Sequence, residues 1–159
     1  VRNKETELKI VKSLFNKIKT IVVKDPKYHD SFMAVILGIV YYVNLLLAVT
    51  LSKENITSLR KFSGTTFYLQ SLLFESILTD NSSLITSLLA ENNELLKYLK
   101  KFNQESAKLF NSINKDKSKL QKRISRIKKG YINKGNIVAS YEKLYSIRSE
   151  INDRWIKIY

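Results

Sequence analysis

The sequence predicts an all-α protein, a single helical bundle of about four to five helices formed by residues 1–159. One proline and four glycines leave few points at which helices must end. Apolar residues recur at spacings of three and four along most of the chain, and no long stretch alternates between apolar and polar residues. The length of 159 residues suits one domain with its own core.

The first predicted helix is amphipathic. Its apolar stripe is formed by Leu8, Val11, Leu14, Phe15, Ile18 and Val22. Asp25 and Pro26 end this pattern and can begin the next helix, because Asp is a preferred N-cap and Pro is favoured at the first helical position.

The apolar run at residues 32–51 is the central feature of the chain, since it is 20 residues long and carries no charge. A helix of this length spans about 30 Å, which suits a membrane or the axis of a small bundle. Tyr41, Tyr42 and Asn44 lie in its middle, where a membrane span disfavours polar groups. We therefore predict a helix buried by other helices of the chain, while a membrane span and a helix that docks into a partner stay open.

Capping and turn residues predict the helices that follow. The predicted features are a cap at Ser52 for a helix over 53–62, a turn at Gly64, a helix over 67–77, and a cap at Asn81 or Ser82 for one long helix reaching 113.

A long, kinked and basic helical region is predicted for the C-terminal part. Residues 115–134 contain nine Lys and Arg and one acid, Asp116, and so carry +8 of the net charge of +14. Leu120, Ile124 and Ile127 share one helical face, which we expect to turn inward. Gly130 and Gly135 mark the kink, and apolar residues at spacings of four and three continue to residue 158.

The basic charge suggests an anionic partner or a protein surface of opposite charge. Lys outnumbers Arg by 22 to 6, and Ile and Asn are abundant, a composition that AT-rich codons also produce. Part of the charge is therefore explained by composition alone.

No catalytic constellation is recognisable in the sequence. There is no Cys, His29 is the single histidine, and the four glycines do not form a phosphate-binding loop. The sequence thus predicts a protein that is not an enzyme and that has no cofactor and no metal site.

The apolar helix ILGIVYYVNLLL, the basic turn region SLRKFSGTTF and the long basic C-terminal helix, in a chain free of Cys and rich in Lys, Asn and Ile, resemble the C-terminal domain of the Borrelia fibronectin-binding surface lipoprotein family. The chain lacks an initial Met and a signal-peptide pattern, which suggests a fragment of a longer precursor. The resemblance implies a domain on the bacterial outer surface, lipid-anchored through a segment outside this chain.

The same resemblance implies a non-enzymatic domain that binds a host serum protein, the initiating serine protease of the classical complement pathway, for immune evasion. Carried over from the family, the partner-binding residues are Arg60 with Lys61, and either Lys134 or Lys143. An Arg on a rigid turn also suits the carboxylate in the pocket of a trypsin-like protease. A membrane-spanning protein and a basic nucleic-acid-binding helical protein stay as alternatives.

Overall fold

The computed structural model describes residues 3–17, 21–23, 25–132 and 134–155. For residues 114, 115 and 148–155 it describes the backbone alone. These residues form an all-α fold without a strand, as the sequence predicts. The helices are α1 (Lys4–Leu14), α2 (Pro26–Thr50), α3 (Ile56–Lys61), α4 (Thr65–Leu78), α5 (Ser82–Ala90), α6 (Asn93–Lys115), α7 (Lys117–Ile132) and α8 (Ile137–Trp155).

The described part of the chain thus contains eight helices, more than the four to five predicted, because short polar segments divide the longer apolar patterns. The prediction of one helix from residue 82 to 113 is wrong, since α5 ends at Ala90 and Asn92 begins α6. The Asn92 side chain accepts a hydrogen bond of 3.0 Å from the backbone N–H of Glu94 and therefore caps a new helix.

The other helix starts also follow from local capping. Asp25 caps α2 by accepting from the Tyr28 backbone N–H at 2.8 Å, with Pro26 at the first helical position, so this prediction is confirmed. Asn81 caps α5 in the same way at 2.8 Å. The predicted cap at Ser52 is wrong, because Asn55 caps α3 instead, accepting from a backbone N–H at 2.9 Å.

Helix α2 is the centre of the packing, as predicted for a central apolar helix. It contacts α4, α5 and α6, and residues Ala34–Ile39 within it adopt π-helical geometry. Gly38 lies directly against Leu95 of α6, where a Cβ atom would stand 2.7 Å from Leu95 Cδ1. Gly38 therefore permits the close approach of α2 and α6, and Leu95 is fully buried there.

The prediction that residues 32–51 are buried on all sides is wrong. Only Ala34, Gly38 and Asn44 of α2 are buried, and within the most apolar 18-residue stretch of the helix 17% is buried. By length and composition this helix, with a mean hydropathy of 2.4, could cross a membrane. The neighbouring helices cover one side only, because α4, α5 and α6 are too few to surround it. Leu46, 41% exposed, should lose less than the 2–5 kcal/mol of a buried Leu on change to Ala.

The polar groups in the middle of α2 have partners within the same chain. The Tyr41 hydroxyl donates to Asp80 Oδ2 at 2.5 Å, and this hydrogen bond raises the pKa of Tyr41. Asn44, 4% exposed, donates to the Val40 carbonyl at 2.8 Å and accepts from Gln70 Nε2 at 2.7 Å. These contacts hold α2 to its neighbours and satisfy groups that the apolar surroundings would otherwise penalise.

The basic segment is helical from Lys117 to Ile132 and largely exposed, as predicted. The prediction that its apolar face turns inward is only partly right. Leu120 is half-buried, while Ile124 and Ile127 are 42% and 50% exposed. In the described part of the chain, α7 packs mainly against α6, and part of its apolar face stays open.

Candidate functional site

Arg60, the predicted partner-binding anchor, is engaged inside the chain. Its Nε donates to Ser71 Oγ at 2.7 Å, and its Nη2 donates to Glu75 Oε2 at 2.5 Å. The guanidinium lies 5.9 Å from the centre of the Tyr68 ring. α4 presents Tyr68, Ser71 and Glu75 on one face by their spacing of three and four residues, and the guanidinium is thereby fixed as a link between α3 and α4.

The lysines predicted to accompany Arg60 are exposed and lie on separate elements. Lys61 ends α3, Lys134 lies in the turn between α7 and α8, and Lys143 lies in α8. Their assignment as partner contacts, like that of Arg60, stays a prediction. The sequence could not show that Glu75 and Ser71 would occupy the guanidinium, because this pairing joins two helices across a turn.

We expect Arg60→Ala to lower the free energy of unfolding by about 1 kcal/mol, since it removes one ion pair, 22% exposed at Arg60 and 44% at Glu75, and the Nε hydrogen bond. Arg60→Lys should recover little, because an ammonium cannot reproduce the planar fork. Urea unfolding measures both changes, with Lys61→Ala as the exposed neighbouring control. Equal losses in Arg60→Ala and Lys61→Ala would show that the link contributes no stability.

A second candidate site is an open apolar face on α2. It consists of Tyr28, Phe32, Ile36 and Val40, which are spaced by four residues and are 41–53% exposed. The rings of Tyr28 and Phe32 pack edge to face with centroids 4.8 Å apart. This face is distinct from the stripe of α2 that packs against α4 and α6, so the helix has an apolar side that the described residues leave uncovered.

The total accessible surface shows the same openness. The chain exposes 13640 Å², whereas a compact monomer of 18.5 kDa is expected to expose about 8,200 Å². Monomeric proteins rarely leave large apolar areas contiguous and uncovered. With four half-exposed apolar side chains in one row, the open apolar face has the character of an interaction surface.

A third candidate site is a basic groove between α6 and α7. The two helices are separated by Asp116 alone, whose carboxylate caps α7 by accepting from the Ser118 N–H at 2.8 Å. The groove is an open concavity of about 470 Å³, lined by Lys108, Asn111, Ser112, Lys119, Lys122, Arg123 and Arg126. Glu105 of α6 is ion-paired with Arg123, and its carboxylate lies 2.8 Å from Lys108 Nζ. Lys108 and Arg123 together hold the pKa of Glu105 below its usual range.

The single histidine of the chain lies beside a carboxylate. His29 Nδ1 lies 3.2 Å from Asp30 Oδ1, and both side chains are about half exposed. No group of three or more His, Cys, Asp or Glu residues in the described ranges is placed to hold a metal ion. The described residues thus offer surfaces suited to binding, among them the apolar face on α2 and the basic groove, and no cluster suited to a metal ion.

The sequence is similar to one known protein domain. The sequence model of "Prephenate dehydrogenase, dimerization domain" matches residues 25–126, well over half of the chain. No curated protein and no solved structure matches at a significant level. The match begins at the N-cap of α2 and runs into α7, so it contains the open apolar face and all seven residues that line the basic groove.

This match overturns the resemblance to the Borrelia surface lipoproteins, a family unrelated to the dehydrogenase domain. The predictions that depended on it are wrong: a host serum protein or complement protease as partner, a role in immune evasion, and a lipid-anchored place on the outer surface. The membrane-spanning and nucleic-acid-binding alternatives are not supported either. Composition misled the comparison, because many unrelated helical proteins are rich in Lys, Asn and Ile and lack Cys.

Proposed function

We propose, from the premise that this chain belongs to the prephenate dehydrogenase dimerization domain family, that it associates with a second copy of itself through the open apolar face of α2. The observation that carries the proposal is the row of half-exposed apolar side chains at Tyr28, Phe32, Ile36 and Val40. The family is defined by dimerization, and α2 has an uncovered apolar face. Both observations support a second copy of the chain as the partner that covers this face.

The surface area is sufficient for such an interface. The chain exposes roughly 5,000 Å² more than a compact monomer of its mass would expose. Obligate homodimer interfaces bury about 2,000–5,000 Å² in total and are more apolar than transient ones. This excess is spread over the whole chain, and it leaves enough surface for an interface of that size, of which the open apolar face would form a part.

The geometry favours a two-fold arrangement. In a two-fold dimer the same patch is used on both subunits, so the open apolar face needs no second, different surface. Two copies of α2 could then pack against each other. The row of side chains spaced by four residues on one helix would fit into the groove beside the same row on the other. None of the four residues of the face carries a charge, which keeps the high positive charge of each copy away from its centre.

We propose that the role of this chain is assembly and that the isolated chain does not catalyse a reaction. The single His and the four dispersed glycines support this absence of catalysis. The family association supports a cytoplasmic location. That residues 1–159 form one domain stays a prediction, since the matched region ends at residue 126.

Analytical ultracentrifugation of wild type and Ile36→Glu tests the proposal. We expect the wild type to sediment as a dimer. The glutamate should weaken association by well over about tenfold, because a carboxylate would be buried twice across the two-fold axis. The matched control is Gln104→Glu, which makes the same charge change at an exposed position of α6.

Circular dichroism should show equal helix content in both variants, so that a change in assembly is not mistaken for unfolding. A wild type that is monomeric at every concentration would overturn self-association. A dimer that Ile36→Glu leaves as tight as Gln104→Glu does would refute the face on α2.

A further inference from the structure

The basic groove between α6 and α7 holds an excess of positive charge that the self-association of the chain does not use. Five of its seven lining residues are Lys or Arg, contributed by both helices. The cations of α7 lie at positions 119, 122, 123 and 126, which share one helical face, and Lys108 approaches from α6. Because α6 and α7 are joined through one residue, this convergence is a consequence of the hairpin.

Two of these cations have no anionic partner among the described residues. Arg123 pairs with Glu105, Lys108 hydrogen-bonds to the same carboxylate, and Lys119 lies 3.9 Å from Asp116. Lys122 and Arg126 make no ion pair within the part of the chain that the structure describes. Both line this groove and also the adjoining concavity that continues to Lys129.

Glu105 holds two of the cations of the groove in fixed positions. Its ion pair with Arg123 fixes one guanidinium at the wall, where Arg123 is only 26% exposed. Asn111 adds an amide beside the cations. Gathering like charges inside one Debye length costs free energy, and a bound anion would offset that cost.

We infer that this groove binds a small phosphate-bearing polyanion, of the size and charge of a pyrophosphate or a nucleotide di- or triphosphate. Several cations around about 470 Å³ suit a ligand that concentrates several negative charges in a small volume. Guanidinium groups bind phosphate oxygens with two parallel hydrogen bonds, and lysines add point charges. Arg126 and Lys122 are the predicted contacts.

Isothermal titration calorimetry of the full chain with inorganic pyrophosphate tests the inference, at about 150 mM salt so that diffuse attraction is screened. We expect saturable binding with one site per chain. The double variant Lys122→Gln/Arg126→Gln should bind about tenfold or more weakly. The control, Lys9→Gln/Lys53→Gln, removes the same charge from exposed positions on other elements and should change the affinity less than about twofold.

Absence of a saturable heat of pyrophosphate binding would overturn the inference. Equal weakening of binding in the two double variants would also overturn it, because it would show a response to net charge alone. Citrate binding as tightly as pyrophosphate would overturn the assignment to phosphate. Ultracentrifugation of the same variants keeps this test separate from that of the dimer, because Ile36 lies outside the groove.

Discussion

Leu95→Ala is expected to lower the free energy of unfolding by about 3–4 kcal/mol, the largest loss from a single truncation that the structure predicts. Leu95 is fully buried and fills the space where α2 and α6 approach most closely. Few side chains in the described chain are fully buried, so the core has little redundancy. Gly38, which faces the leucine, has no side chain that could move into the vacated volume.

The neighbouring residue supplies the control. Leu96 lies on the same helix and is 50% exposed, so Leu96→Ala should cost less than about 1 kcal/mol. Urea unfolding must be compared at one fixed protein concentration, since the stability of a dimer depends on concentration. Equal losses for the two variants would mean that the contact of α2 with α6 is not the centre of the core.

The second large effect is expected for Gly38→Val, with a loss of about 3 kcal/mol. A Cβ at position 38 would lie 2.7 Å from Leu95 Cδ1, 2.8 Å from Cδ2 and 3.2 Å from Cγ, so the fully buried leucine side chain must shift to admit a valine. Overpacking of this kind typically costs about 1–3 kcal/mol, and the branched side chain adds to the overlap. The small gain in helix propensity over glycine does not compensate.

A double-mutant cycle makes this prediction specific. In Gly38→Val/Leu95→Ala the valine occupies space that the leucine leaves, so the combined loss should fall short of the sum by about 1–2 kcal/mol. Gly130→Val is the control, because nothing lies within 4 Å of the Cβ position at Gly130. Strict additivity in the cycle would show that residues 38 and 95 do not meet as described.

Several features of the candidate sites had a signal in the sequence. The basic stretch at 115–134 predicted the exposed basic helix that forms one wall of the groove, but neither the groove itself nor the contribution of Lys108 from α6. The apolar run at 32–51 predicted a central helix, but its all-round apolarity was assigned to intramolecular burial. The scarcity of Arg predicted Arg60 as a contact for a partner, which stays a prediction, but it did not indicate that the guanidinium joins α3 and α4.

The sequence by itself determined the all-α class, the cap of α2 at Asp25 and Pro26, and the helical nature of the basic segment. These depend on interactions between residues a few positions apart, which spacing and residue type reveal directly. Only the tertiary structure decided which side of α2 is covered, which carboxylate holds Arg60, and that the lysines of two helices enclose one groove. Those features depend on contacts between residues far apart in sequence, and helical periodicity does not specify which apolar stripe meets which partner.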